Sequence, residues 1–165
     1  MNFRNIRFRV FKEYVREMCF QIEDSNWRPN YIVGITRGGL LPAVMLSHYF
    51  NIPCKTLHVS LRDSSQASES NLWMSEDAYN GKKILVVDDI NDTGETINWI
   101  KKDWESSTKP DSDTWNNVWN NTVKFATVFD NTSSKSIVKV DFHGEQIDKE
   151  VTNDWIQFPY EDWWK

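Results

Sequence analysis

The run ILVVDDINDTGETINWI, residues 84–100, constrains this chain more than any other stretch. Apolar, largely β-branched residues at 84–87 suit a strand buried on both faces. That strand runs straight into Asp88 and Asp89, and Asp92 follows after two spacers. Clustered carboxylates repel one another and prefer water, so stability alone does not explain such an ending. Thr93-Gly94-Glu95-Thr96 then turns the chain into a segment, 95–105, that reads as a helix. A strand, a carboxylate cluster, a glycine turn and a helix together predict a site for something cationic or rich in hydroxyls.

The rest of the chain places this turn in an α/β architecture. Apolar residues at Val10, Phe11, Tyr14, Val15, Met18 and Ile22 have helical spacing. YIVGI (31–35) reads as a buried strand that ends at Thr36-Arg37-Gly38-Gly39. LLPAVMLSHYF (40–50) reads as a buried helix that tolerates Pro42 in its first turn. CKTLHVSL (54–61) alternates like a strand. Residues 62–82 are polar, Ser-rich and without periodicity, which predicts a mobile loop able to act as a lid. An irregular connector (106–121) with a short helix around 114–120 precedes two further strands, 123–130 and 140–147. The aromatic tail NDWIQFPYEDWWK looks irregular. Strand and helix alternate through the middle, which predicts a mostly parallel sheet flanked by helices. Ligands on such sheets gather at the carboxyl ends of strands. Both unusual turns, 36–39 and 88–96, fall there.

At 165 residues, with no repeat or linker, the chain is expected to form one domain, 1–165. A net charge of −5 argues against nucleic acid and against a polybasic membrane surface as partners. No apolar run is long enough to span a bilayer. The N-terminal segment interleaves arginines with apolar residues and lacks a signal peptide's apolar block. The two cysteines, Cys19 and Cys54, make no disulfide framework and have no metal-ligand spacing, so a cytoplasmic location is expected. His48, His58 and His143 likewise lack metal-ligand spacing. Most of the nine tryptophans are expected to serve packing, in a core and surface built with large aromatics.

Several site types fail at 84–96. A calcium loop starting at Asp89 needs Glu at its twelfth position, where Ile100 stands. A Walker B strand needs a P-loop, and no G-x-x-x-x-G-K-[ST] occurs. A receiver domain beginning at ILVVDD would run out of chain and leave the first 80 or so residues unexplained. Helix capping employs Asp92, Thr93 and Glu95 but leaves Asp88 and Asp89 without a role.

An apolar run, Asp-Asp, two spacers and Asp-Thr-Gly-x-Thr resembles the phosphoribosyl-diphosphate (PRPP) loop of type I phosphoribosyltransferases. The physical chemistry agrees. Gly94 permits a tight turn, and amides at the head of the following helix make a phosphate nest for Thr93, Gly94, Glu95 and Thr96 to line. Asp88 and Asp89 can accept hydrogen bonds from ribose hydroxyls and help hold Mg2+, a hard ion that favours oxygen. Asp92 would lie near the reacting base. GITRGGLLPA (34–43) resembles the pyrophosphate loop of the xanthine–guanine and hypoxanthine–guanine branch, which gives that role to Thr36, Arg37, Gly38 and Gly39. DWIQFPYED (154–162) resembles the purine-binding tail of the bacterial xanthine–guanine branch. Trp155 would then stack on the base and Ile156 read its edge, and Glu161 would stand near a second magnesium.

What the resemblance implies is a type I phosphoribosyltransferase fold with a small C-terminal base-binding hood, 152–165. The implied activity is magnesium-dependent transfer of a phosphoribosyl group from PRPP to a purine, with Asp92, Asp88 and Asp89 as catalytic residues and a homodimer as the family expectation. The chain departs from the branch where a lysine usually follows the fourth strand of the core sheet. Asp130 and Asn131 stand there, with Lys135 further on, so Asn131 is assigned to the base edge. The mobile loop also reads SLRDSS where the branch has a Ser-Tyr pair. Transfer to adenine or a pyrimidine, or a PRPP- or nucleotide-binding regulator without turnover, stays open as an alternative.

Overall fold

Leu85 and Val87 bury their side chains in one apolar cluster, while Ile84 and Val86 bury theirs in another. Alternation between two cores is what a strand between two helical layers requires. In the computed structural model, which describes residues 1–61, 68 and 71–165, this strand is the centre of a five-stranded parallel sheet. The elements in chain order are β1 (Phe3–Asn5), α1 (Phe8–Asp24), β2 (Tyr31–Thr36), α2 (Leu40–Phe50), β3 (Cys54–His58), α3 (Leu72–Tyr79), β4 (Ile84–Asn91) and α4 (Glu95–Ser107). Helix α5 (Ser112–Asn117), a π-helical turn (Val118–Thr122), β5 (Val123–Asn131), β6 (Phe142–Ile147) and β7 (Trp155–Gln157) complete the chain.

The large sheet has the order β3-β2-β4-β5-β6, with every neighbouring pair parallel. Helices α1 and α2 cover one face through Phe11, Val15, Met18, Ala43 and Leu46. Helices α3, α4 and α5 cover the other through Met74, Ile100, Trp104 and Trp115. Trp119 stacks on both Trp104 and Trp115 there, whereas Trp73, Trp155, Trp163 and Trp164 are exposed. From β2 the chain moves outward to β3, then returns past β2 to β4 and continues the other way. The order therefore reverses between β2 and β4, and the crevice at their carboxyl ends is where such sheets bind ligands.

Two differences from the sequence reading stand out. The polar stretch expected to be a loop contains α3, whose Met74, Ser75 and Ala78 are buried. Three buried positions, two of them small or polar, make too weak an apolar pattern to read as a helix. Of the rest of the expected lid, residues 62–67, 69 and 70 lie outside the described residues. The tail is not wholly irregular either, because β7 pairs in parallel with β1, Phe3 opposite Trp155 and Asn5 opposite Gln157. Strands of three residues carry too little alternation to be seen in sequence.

Candidate active site

Strand β4 continues past its apolar residues because Asp88, Ile90 and Asn91 still pair with β5. The acids thus sit at the carboxyl edge of the sheet, half-buried. The Asp89 amide donates to Asp88 Oδ1 at 2.9 Å, which holds the Asp88 carboxylate against the backbone of its neighbour. Gly94 has φ of 92°, in the left-handed region that glycine enters without steric cost. A side chain there would also collide with the backbone of Lys135 and Ser136. The loop carrying those residues clamps the turn from outside: the Lys135 amide donates to the Thr93 carbonyl at 2.8 Å. Asn98 binds the same loop twice, donating to the Lys135 carbonyl at 2.9 Å and accepting from the Ile137 amide at 2.8 Å. Helix α4 makes its first intrahelical bond from Asn98 to the Gly94 carbonyl. The amides of its first turn therefore have no intrahelical acceptor; that of Glu95 meets Thr93 Oγ1 at 3.3 Å, and residues 94–97 line the cleft, where a helix N-terminus favours an anion.

The second glycine turn meets the first. A Cβ at Gly38 would collide with the Asp89 carboxylate, so only glycine allows the 36–39 loop to lie this close. The Thr36–Arg37 peptide is cis. Thr36 Oγ1 lies 2.7 Å from His58 Nδ1 on the neighbouring strand. Tyr160, from the tail, ties the two turns together: its hydroxyl is 3.1 Å from both the Gly38 carbonyl oxygen and Asp89 Oδ2. Burial, reinforced by Asp89, pushes the Tyr160 hydroxyl far above the phenol range and keeps it a donor. Burial also raises the Asp89 carboxyl, against the lowering effect of its hydrogen bonds from this region. Glu161 is raised by burial and by Asp89, while Arg37 opposes the shift. These acids share one electrostatic neighbourhood that a cation would relieve.

The cleft is lined by residues 88–97, by Ser60 and Thr127, and on its other side by Trp155, Ile156, Phe158, Glu161 and Lys149. Among the described residues, no group of three or more His, Cys, Asp or Glu is arranged to hold a metal. Adjacent Asp88 and Asp89 still fit Mg2+ in its usual mode, with one or two carboxylates and the remaining oxygens from water and substrate phosphates. Glu161 Oε2 accepts the Phe158 amide at 2.7 Å and so also caps its own turn.

Trp155 lines the cleft and is 38% exposed, whereas Ile156 is buried. Asn131, assigned from sequence to the base edge, does not line the cleft. Its Nδ2 donates to the Asp92 carbonyl at 2.8 Å, and its Oδ1 accepts from Ser133 and from the Lys149 amide. A carboxamide employed on both sides in this way holds backbone, outside the cleft. Asp130 is buried against Asn91 and Gln146, and Lys135 is exposed. The cationic side chain that does enter the cleft is Lys149, whose Nζ lies 3.1 Å from Asp92 Oδ2. Sequence reading passed over it, although its place just beyond the carboxyl end of β6 was a usable signal. Tyr160 was missed as well, being one aromatic among many in the tail.

Residues 9–162 match the family described as Phosphoribosyl transferase domain. The chain is 27% identical over 149 residues to a xanthine-guanine phosphoribosyltransferase of Chromohalobacter salexigens, covering 89% of this chain and 76% of that protein. It is 32% identical over 88 residues to a xanthine-guanine phosphoribosyltransferase of a Ruegeria species. That match covers 48% of this chain and 49% of the relative, so the chain spans about half the relative's length. A solved purine phosphoribosyltransferase from Pyrococcus horikoshii superposes with a TM-score of 0.68 at 21% identity, over 98% of this chain and 95% of that one. The Helicobacter pylori xanthine-guanine-hypoxanthine phosphoribosyltransferase gives 0.67 at 21% identity, with the same coverage. These two likenesses concern the fold.

Proposed function

This chain belongs to the phosphoribosyl transferase domain family, and from that premise we propose that it is a magnesium-dependent purine phosphoribosyltransferase. It joins a base of the guanine, xanthine or hypoxanthine type to PRPP, giving a nucleoside 5′-monophosphate and pyrophosphate. The observation that carries the reading is an acidic cleft at the reversal point of the sheet, lined by the 88–97 turn and an exposed tryptophan, with the 36–39 turn packed against its Asp89. The xanthine-guanine names of the relatives support the substrate class.

In this reading the α4 amides, Thr93 and Thr96 hold the 5′-phosphate, and Asp88 and Asp89 hold the ribose hydroxyls. Arg37 and amides of the 36–39 loop hold the pyrophosphate, other than that of Gly39, which donates to the Ile35 carbonyl at 2.8 Å. Asp88, Asp89 and, at a second position, Glu161 would ligate Mg2+, which supplies charge neutralisation for the leaving group. The C1′–oxygen bond to pyrophosphate breaks, and a bond from C1′ to a ring nitrogen forms with inversion. Positive charge develops on the ribose as it does so, and carboxylates placed beforehand lower its energy. Asp92 accepts the proton the base gives up or, through its charge, stabilises the ribosyl cation. Trp155 stacks on the base. Purine salvage as one domain, a cytoplasmic setting and a homodimer belong to the same proposal. No helix among the described residues is long and apolar enough to cross a membrane.

Incubation with PRPP, Mg2+ and a panel of bases, followed by pyrophosphate release, tests this. Release dependent on guanine, xanthine or hypoxanthine is expected. Release only with adenine or a pyrimidine would overturn the substrate class, and none with any base would overturn the activity.

A further inference from the structure

We propose that Lys149 is the residue that reads the oxo group of the purine, and that Asn131 is its positioning residue. The inference rests on the purine phosphoribosyltransferase reading of the cleft. Its ground is a four-way junction at the carboxyl ends of β4, β5 and β6. Asn131, the last residue of β5, donates from Nδ2 to the Asp92 carbonyl at 2.8 Å. Its Oδ1 accepts from the Ser133 amide at 3.2 Å, the Ser133 hydroxyl at 2.8 Å and the Lys149 amide at 3.0 Å. One buried carboxamide thus fixes the backbone of Asp92 and of Lys149 relative to each other.

The two side chains then meet. Lys149 Nζ lies 3.1 Å from Asp92 Oδ2, with side-chain exposures of 14% and 21%. Both residues line the cleft that Trp155 and Ile156 line. An ammonium has three donors and no acceptor, and the contact with Asp92 employs one. A partly buried ammonium is held this way only where acceptors complete its environment. Guanine and hypoxanthine present two acceptors, O6 and N7, side by side on one edge, whereas adenine presents an amino donor at position 6. Lys149 donates to O6 while Asp92 stands at the neighbouring ring nitrogens. An amino group in place of O6 sets donor against donor and leaves the ammonium with Asp92 but no ligand acceptor, which is how a polar site rejects an analogue. The ammonium therefore comes from the segment after β6, and residue 131, at the end of β5, serves as its anchor.

The test compares kcat and KM for guanine, hypoxanthine and adenine in wild type, Lys149→Met and Asn131→Ala, with Mg2+–PRPP affinity measured by calorimetry. Lys149→Met keeps the apolar stem and removes the donors. It is expected to reduce the 6-oxopurine-to-adenine ratio of kcat/KM at least tenfold, with PRPP affinity changed less than twofold. Asn131→Ala is expected to move the same ratio in the same direction, chiefly through KM for the base. An unchanged ratio in folded Lys149→Met would overturn the assignment, and if that variant does not fold, the same ratio in Lys149→Gln decides. A wild-type preference for adenine would overturn it too. Absence of PRPP-dependent turnover in wild type with every base would instead overturn the reading beneath it.

Discussion

At the scale of single residues, the cleft separates side chains that face a ligand from those that hold the frame. Trp155 is 38% exposed and borders the cleft, while Trp104 is fully buried in a stack with Trp119. Base–aromatic stacking contributes about 1–3 kcal/mol, so Trp155→Ala should raise the KM for the base at least fivefold and leave PRPP affinity nearly intact. Steady-state kinetics beside calorimetry check this, and an unchanged KM for the base would return Trp155 to a packing role. The same contrast shows how far sequence reaches. Asp88, Asp89 and Asp92 were legible because three acids after a buried strand serve no packing purpose. The base edge was not. Asn131 lies where a base contact was expected, but its hydrogen bonds run to Asp92, Ser133 and Lys149, partners that only the folded sheet brings together.

At the scale of elements, the hood is held by its partners more than by its own strands. Trp155 donates its amide to the Asn2 carbonyl at 2.8 Å, and Ile6 donates to the Gln157 carbonyl at 2.9 Å. Arg4, in the middle of β1, reaches Glu145 of β6 with both terminal nitrogens at 2.8 and 2.7 Å, and Tyr14 of α1 donates to the same carboxylate. The hydrogen bonds from Arg4 hold the Glu145 carboxyl below its ordinary value, against a smaller opposing effect of burial. A carboxyl lowered in the folded state contributes stability above its unfolded pKa and loses it as pH falls through the lowered one. Glu145→Gln should therefore lower the thermal midpoint at pH 7, by a part-exposed pair's ~0.2–1 kcal/mol. The difference from wild type should begin to shrink as pH drops below about 4, the ordinary glutamate range, and vanish once pH has passed below the lowered value. A difference that persisted at low pH would mean that packing around Tyr14, and not charge, holds the hood. The large elements could be read because their periodicities run over many residues, as in α1 with buried Phe11, Val15, Met18 and Ile22. Strands β1 and β7 could not, since a three-residue strand is defined by its partner.

At the scale of the whole molecule, function follows from where the sheet reverses its order. Strands β2 and β4 are neighbours whose connections leave in opposite directions, and each ends in a glycine turn. The absence of a side chain at Gly38 lets the first turn rest on the Asp89 carboxylate, and Tyr160 bonds to both. Two motifs some fifty residues apart in the chain thus come into contact, the second lining the cleft and the tail supplying Trp155, Ile156 and Glu161 on its far side. Parallel order could be inferred from alternating strands and helices, but the closeness of the two turns came only from the fold. The central claim is that this cleft holds the ribose and phosphates of PRPP through the paired acids. Titration calorimetry of Mg2+–PRPP into wild type and into Asp88→Asn/Asp89→Asn tests it most directly. The account predicts affinity weakened at least tenfold, about 1.4 kcal/mol, in a variant that keeps its fold by circular dichroism. Equal affinity in the two proteins would contradict it.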